Sequence, residues 1–156
     1  MFIYYTGCSS IPYQSKDFTV INCPNVFFSS ENNILVNVNE GKFDLDNVNY
    51  KASLNNYGFE EKCTVGENNK YYGINILVVV EPLNPKIQKI NLPIFVLLYD
   101  MEDTLVDKQF FRIQGELNYN NDFSNYEVTE IIENLSILVS KEKEVSSMTI
   151  GFVKLN

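Results

Sequence analysis

The chain has 156 residues, of which 45% are hydrophobic, and a formal net charge of −8. A chain of this length usually forms one domain, in which folding buries roughly 70% of the unfolded surface. The single arginine, Arg112, and lysines that never cluster argue against binding to nucleic-acid phosphates and against attachment to anionic lipid by charge. No stretch reaches the roughly 18 apolar residues of a membrane-spanning helix.

The N-terminal segment contains the run Thr6-Gly7-Cys8-Ser9-Ser10, in which small residues precede a cysteine and serines follow it. This order is typical of the lipidation point of a bacterial lipoprotein, where Cys8 takes a diacylglycerol and becomes the first residue of the mature protein. A secretory signal needs an apolar stretch of roughly 7 to 15 residues before that point, and only seven residues precede Cys8. We therefore expect residues 1–16 to be a truncated signal with its lipobox and a polar tether. The alternative is a loose terminus with an incidental thiol.

Three cysteines are an odd number for an exported protein. If Cys8 is lipidated, Cys23 and Cys63 remain as a pair. A disulfide between them would close a loop of about 41 residues and stabilise the fold by roughly 4 kcal/mol, and it would indicate an oxidising compartment. The alternatives are two buried thiols or a metal site, although the chain has no His and no C-x-x-C for structural zinc.

From residue 17 onward the hydrophobic pattern has period two, which predicts β-strands in a single domain over residues 17–156. Residues 18–22, 34–38 and 48–55 alternate, the last with one polar face. Residues 74–80 and 92–99 are continuously apolar and β-branched, which predicts central strands with little polar surface, joined by an outer loop over 81–89. Asp100 to Asp103 predict a turn into a strand over 104–113, and Met148, Ile150 and Phe152 a final strand.

Residues 124–139 fit this pattern poorly. Their apolar positions follow helical spacing, and Ser124 with Glu127 has the form of a capping box. As a strand, the segment must change faces between Val128 and Ile131, which requires a β-bulge or bend. Because about seven short strands elsewhere favour an all-β, two-sheet antiparallel sandwich of immunoglobulin-like type, we expect a bulged strand here, with one short helix as the alternative.

Several short segments resemble a family of small alphaproteobacterial envelope lipoproteins. They are Cys23-Pro24, residues 48–52, Cys63, residues 92–96, Asp100, Lys108, Phe110-Phe111, residues 127–133 and residues 150–152. The resemblance spans most of the chain after residue 20 and implies an all-β domain behind a lipidated Cys8. It also implies that Cys23 and Cys63 match the two inner cysteines of the family. The family carries no activity that could be transferred to any residue here.

Catalytic chemistry has few candidates in this sequence. The absence of His removes the usual Ser-His-Asp and Cys-His systems. Carboxylate pairs exist at Asp44 and Asp46, at Asp100 to Asp103, and at Glu130 and Glu133, but solvated charge is their ordinary role. The acidic turn lacks the glycine and the distal glutamate of a calcium-binding EF-hand loop. We therefore expect no enzyme activity, no cofactor and no metal site.

Two functions remain from different classes. The first is a lipid-anchored, non-catalytic interaction or scaffold module on the periplasmic side of a membrane, held there by its N-terminal lipid and bound to a protein partner rather than to nucleic acid. The alternative is a carbohydrate-binding sandwich, in which exposed tyrosines stack on sugar rings. The candidate tyrosines for that role are Tyr57, Tyr71, Tyr72, Tyr119 and Tyr126.

Overall fold

The computed structural model describes residues 17–38, 45–84 and 89–154, and these residues form an all-β, sandwich-like fold. A single turn of 3-10 helix covers Leu45–Asn47. The strands, in chain order, are β1 (Thr19–Val20), β2 (Asn25–Phe28), β3 (Ile34–Val38), β4 (Val48–Phe59), β5 (Thr64–Val65), β6 (Asn69–Pro82), β7 (Lys89–Tyr99), β8 (Leu105–Glu116), β9 (Tyr119–Asn120), β10 (Asn125–Tyr126), β11 (Thr129–Ser140) and β12 (Ser147–Phe152).

The larger sheet, here called sheet A, is centred on β6. Strand β11 pairs with one edge of β6, and β4 and β5 pair with the other edge. Strand β3 then pairs with β4, and β1 pairs with β5. All of these pairings are antiparallel. The predicted central position of residues 74–80 is confirmed.

The second sheet, sheet B, has the order β2-β12-β7-β8. Strands β7 and β8 form the hairpin that the sequence predicted around Asp100 to Asp103, and β12 is the predicted final strand. Strand β2 pairs with β12 in parallel, unlike the other pairs. A separate two-stranded hairpin, β9 and β10, lies between β8 and β11 in the chain.

One hydrophobic core lies between the two sheets, because alternate residues of both sheets contribute to the same cluster. From β6 these residues are Ile74, Ile76, Val78 and Val80, and from β7 they are Ile90, Leu92, Ile94, Val96 and Leu98. The Tyr50 hydroxyl on β4 donates a hydrogen bond to the Asn91 carbonyl on β7 at 3.3 Å. This bond ties one sheet directly to the other.

Residues 129–140 form a regular strand, so the alternative of a helix at 124–139 is wrong, and so is the expected bulge. Strand β11 pairs with β6 in unbroken register. Its inward positions from Leu135 to Val139 are buried, whereas Ile132 and Leu138 are exposed on the outer face. The helical spacing arose because those outward apolar residues were counted with the inward ones. Ser124 adopts a positive φ of 52° in the turn between β9 and β10.

Two segments differ from their predicted limits. Strand β6 extends to Pro82 and β7 begins at Lys89, so the predicted loop over 81–89 is shorter at both ends. Strand β1 has only two residues, and both Phe18 and Val20 are exposed rather than part of the core. Within the ranges that the structure describes, no helix has the length and apolar character needed to cross a membrane.

Candidate functional site

The outer surface of sheet B carries exposed aromatic side chains. Because the even-numbered residues of β7 point into the core, Phe95 and Leu97 point outward. Their cross-strand partners on β8 are Phe110 and Lys108. Phe110 on β8 is 62% exposed and Phe27 on β2 is 57% exposed. We call this surface the aromatic face, and it comprises Phe27, Phe95, Leu97, Lys108, Phe110 and Arg112.

The expectation that the apolar run 92–99 shows little surface therefore holds only for its inward half. The outward residues of this run are half-buried, not buried. Thr149 and Gly151 of β12 lie beside Leu97 and Phe95, and Thr149 pairs in turn with Phe27. At a spacing of about 4.8 Å per strand, the aromatic face extends roughly 15 Å across four strands.

The charge of the aromatic face is opposite in sign to that of the chain. The outward residues of β7 and β8 include three cations, Lys89, Lys108 and Arg112, against one carboxylate, Glu116, whereas the chain has a net charge of −8. The Lys108 ammonium lies 5.0 Å from the centroid of the Phe110 ring, close enough for a cation–π contact. An exposed apolar surface with basic residues beside it is typical of a binding site.

The outer surface of sheet A carries a polar cluster beside a tyrosine. The Asn134 amide donates hydrogen bonds to Glu60 Oε2 at 2.8 Å and to Asn75 Oδ1 at 3.1 Å, and the Ser136 hydroxyl donates to Asn134 Oδ1 at 3.2 Å. Tyr71 belongs to the same outer face, since it precedes Asn75 by four residues on β6. We call this group the Tyr71 platform, and it comprises Glu60, Tyr71, Gly73, Asn75, Asn134 and Ser136.

Gly73 allows the Tyr71 ring to lie over the strand. A Cβ atom at Gly73 would be 2.9 Å from Tyr71 Oη and 3.3 Å from Glu60 Oε2. Gly73 is buried although it faces outward, because these two side chains cover it. The tyrosine hydroxyl and the carboxylate therefore both lie over the backbone at Gly73.

A cleft of about 600 Å³ adjoins the platform through Tyr71. Phe18, Leu138 and Lys141 also line it, together with Asn68, in the turn before β6, and Asn69, the first residue of β6. Phe18 is exposed, and its ring lies beside Gly66, where a Cβ atom would be 3.3 Å from Phe18 Cε1. The cleft thus presents two aromatic rings with amide groups beside them.

The other predicted tyrosines lie elsewhere. Tyr72 is 1% exposed in the core, so neither face of its ring is free. Tyr119 and Tyr126 pack against each other in the β9–β10 hairpin, with ring centroids 5.0 Å apart. Tyr126 lines a small cleft with Pro82, at the opposite end of β6 from Tyr71. Eleven residues of strand place these two sites about 35 Å apart, so they cannot form one groove.

Tyr57 lies near the end of β4. Its ring makes edge contacts with Phe28 and Phe59, at centroid distances of 5.9 and 6.5 Å. Tyr57 is 40% exposed, and the three rings extend the core toward the β2 edge of sheet B. This packing is a structural use of the tyrosine.

The disulfide between Cys23 and Cys63 is present, with Cα atoms 5.2 Å apart. It connects the segment between β1 and β2 to the segment between β4 and β5, where the Ile21 amide also donates to the Cys63 carbonyl at 2.9 Å. The bond therefore fastens the segment after β1 to the start of β5, at the edge of sheet A. Cys8 and its predicted lipidation lie outside the described residues, as does Asp44.

The acidic turn has a structural role. Asp100 Oδ1 accepts hydrogen bonds from the amides of Glu102 and Thr104, both at 2.9 Å, and Asp103 has a φ of 60°. This arrangement is an aspartate-stabilised turn. Glu130 is exposed, and Glu133 occupies a position of opposite parity on β11, so the two point to opposite faces. The described ranges contain no group of three His, Cys, Asp or Glu side chains placed to hold a metal.

The surroundings of Asp107 lower the pKa of its carboxyl group. Partial burial would raise its pKa, but hydrogen bonds from the Gln109 side chain and the Lys108 amide, with the charge of Lys143, outweigh it, so the pKa of Asp107 is lowered. Lys143 Nζ lies 3.4 Å from Asp107 Oδ1. A carboxylate held in its charged form by an ion pair is a structural feature rather than a proton donor.

Comparisons of the chain with protein-family models, with curated proteins and with solved structures found no match. The resemblance to envelope lipoproteins therefore stays a prediction.

The sequence did not reveal the aromatic face or most of the Tyr71 platform. Phe27, Phe95 and Phe110 come from three strands, and their common face depends on the pairing order of sheet B. Glu60 and Asn134 are 74 residues apart in the chain. A usable signal was the glycine at 151, since a glycine within an apolar strand often marks a close approach by a neighbouring side chain.

Proposed function

We propose that this protein is a lipid-anchored, non-catalytic module of a bacterial envelope that binds a protein partner through its aromatic face. The observation that carries the proposal is the pair of exposed rings, Phe27 and Phe110, on one sheet surface. Burying exposed apolar surface gives roughly 25 cal/mol per Å². Aromatic and arginine side chains are also the types that contribute most to protein interfaces.

The chemistry of the partner follows from the charge of this surface. Lys108 and Arg112 flank Phe110 on the exposed side of β8. A partner that presents an apolar centre with carboxylates beside it would complement both features. Binding to an anionic membrane is less favoured, because the net charge of −8 repels such a surface.

Export to an oxidising compartment is part of the proposal. The Cys23–Cys63 bond supports it, because disulfides persist in secreted and periplasmic proteins and are rare in the cytosol. Cys8 would then be the lipidated residue. Mass spectrometry of protein expressed with its upstream region should show an acylated N-terminal Cys8, and Cys8→Ser should leave the membrane fraction. An unmodified Cys8 in a soluble protein would remove the anchoring part of the proposal.

The interaction part is tested by matched pairs of variants. The pair Phe27→Ser and Phe110→Ser removes two exposed rings from the aromatic face, and the pair Val128→Ser and Ile132→Ser removes two exposed apolar side chains at the β11 side of sheet A. Wild type and both double variants are used to capture cross-linked partners from the native envelope. We expect the first pair to weaken capture of one partner at least roughly fivefold and the second pair to leave it unchanged. Equal capture by all three proteins would refute the assignment.

Salt dependence provides a second readout of the same surface. Arg112→Glu and Lys108→Glu should slow association with an acidic partner, and added salt should weaken wild-type binding. Lys154→Glu provides the control, because Lys154 is an exposed cation outside the aromatic face that donates to the Glu31 carbonyl. This variant should leave the association rate close to that of wild type. A partner whose binding does not respond to Arg112→Glu is not held by the charge of this face.

A further inference from the structure

We infer that the Tyr71 platform is a separate binding site for a neutral sugar of the pyranose type. It lies on the outer surface of sheet A, whereas the aromatic face lies on the outer surface of sheet B. The inference therefore does not depend on the proposed protein partner. It rests on the juxtaposition of one tyrosine ring with a carboxylate and two amides around Gly73.

The ring of Tyr71 is placed for stacking. Its hydroxyl end lies over Gly73, where a Cβ atom would approach within 2.9 Å. The hydroxyl end of the ring is therefore against the backbone, while Tyr71 as a whole is half-buried and lines the adjoining cleft. The C–H face of a pyranose with equatorial substituents is flat and apolar, so it can pack on the exposed part of the tyrosine ring.

The polar groups beside the ring are oriented before any ligand binds. Asn134 Nδ2 bonds both Glu60 Oε2 and Asn75 Oδ1, which fixes the directions of all three side chains. Within the described residues, Asn75 Nδ2 donates to no protein atom and Glu60 Oε1 accepts from none. One donor and one acceptor of the same cluster are thus left for a ligand. Vicinal sugar hydroxyls, each of which donates and accepts, match that pair.

The same groups argue against an anionic ligand. A phosphate or sulfate offers only acceptors, and the Glu60 carboxylate at the centre of the platform would repel it. The adjoining cleft, with Phe18 and the amides of Asn68 and Asn69, would hold further units of a chain. A short neutral oligosaccharide, with one unit on Tyr71 and the next in the cleft, fits both parts.

The test uses cellotetraose and chitotetraose as neutral probes and tetragalacturonate as the anionic comparison, added to the disulfide-bonded protein and followed by NMR chemical shifts. We expect at least one neutral probe to bind with a Kd on the order of 1 mM or below. Tyr71→Ala should weaken binding about tenfold, and Asn134→Ala should weaken it as well. Tyr119→Ala removes an exposed tyrosine from the far end of the molecule and should change nothing.

Tyr71→Leu keeps an apolar cover over Gly73 without a flat ring, so it serves if Tyr71→Ala unfolds. Three results would overturn the inference. They are no shift with either neutral probe at about 10 mM, binding that Tyr71→Leu and Asn134→Ala leave unchanged, and equal binding of tetragalacturonate. None of these results bears on the aromatic face, because the protein-capture experiment uses other residues.

Discussion

The ring of Phe95 on β7 lies directly over Gly151 on β12. The two residues are cross-strand partners, and a Cβ atom built on Gly151 would be 2.5 Å from Phe95 Cζ and 2.9 Å from Phe95 Cε1. Gly151 is fully covered, although it faces outward. Only glycine leaves room for the ring, and an aromatic side chain that covers a strand glycine restores the packing that the glycine lacks. This contact fixes the position of Phe95 at the centre of the aromatic face.

Gly151→Ala should therefore destabilise the protein. The added methyl group cannot share the space with the ring, so Phe95 must leave its position, at a cost of about 1–3 kcal/mol in the free energy of unfolding. Urea denaturation measures the change. Gly58→Ala is the control, because nothing lies within 4 Å of a Cβ atom there, and its effect should be below about 1 kcal/mol. In the background of Phe95→Leu, Gly151→Ala should cost less; an equal cost would contradict the contact.

Two buried tyrosines make stability fall at high pH. Burial raises the pKa of Tyr50 above its ordinary value, against the lowering effect of the Asn91 amide, which donates to the tyrosine oxygen. Burial together with the charge of Glu144 raises the pKa of Tyr72. The folded state therefore holds these protons more tightly than the unfolded state. The resulting stability is present below about pH 10, the ordinary tyrosine pKa, and is lost as the pH rises through the folded-state values.

The variant Tyr72→Phe isolates this effect. Its urea midpoint should fall less steeply than that of wild type between about pH 9 and pH 11. Tyr119→Phe, which changes an exposed tyrosine, should keep the wild-type slope. Identical slopes for wild type and Tyr72→Phe would show that the hydroxyl is accessible to solvent, contrary to its position in the core.

Removal of the disulfide should weaken the β1 and β5 side of sheet A. The bond spans 40 residues, so the double variant Cys23→Ser, Cys63→Ser should lose roughly 4 kcal/mol of the free energy of unfolding on the chain-entropy model. Strand β1 pairs only with the two-residue β5 in the described part of the chain. We therefore expect the Ile21 amide, which donates to the Cys63 carbonyl, to lose hydrogen-exchange protection before the amides of β6. Unchanged protection at Ile21 would mean that the disulfide does not hold β1.

Two alanine variants distinguish the inward face of β11 from its outward face. Leu135 is buried at 1% exposure, whereas Ile132 is 71% exposed. Leu135→Ala should cost about 2–5 kcal/mol and Ile132→Ala less than about 0.5 kcal/mol, measured by thermal or urea unfolding. A helix over this segment, with both residues on its apolar side, would give similar costs for the two variants. Comparable losses would therefore contradict the regular strand.

Elements of the fold could be predicted where the residue types of a segment match the burial of those residues in the structure. The hairpin of β7 and β8 was predictable because Asp100 provides an aspartate-stabilised turn between two apolar runs. Strand β11 was expected as a strand, but with a bulge that it lacks, because Val128, Ile132 and Leu138 are apolar yet exposed. Single exposed hydrophobic residues are normal in folded proteins. Here they gave the apolar positions of a strand, which has a period of two residues, the spacing of a helix.

The candidate sites were less predictable than the fold, because they depend on how distant strands pair. Tyr71 was a candidate from its residue type alone. Its neighbours Glu60 and Asn134 become neighbours only because β6 pairs with β4 on one edge and with β11 on the other. Similarly, Phe27 reaches the aromatic face through the parallel pairing of β2 with β12. Neither arrangement leaves a short motif in the sequence.

The most direct test of the proposed function is site-specific photo-cross-linking in the native envelope. A photoreactive amino acid is placed at position 110, on the β8 strand of the aromatic face, or at position 132, on the outer face of sheet A and similarly exposed. The proposal predicts one protein adduct from position 110, diminished by Arg112→Glu and by added salt, and none from position 132. The same adduct from both positions, or none from position 110 in membranes that contain the protein, would contradict binding through the aromatic face.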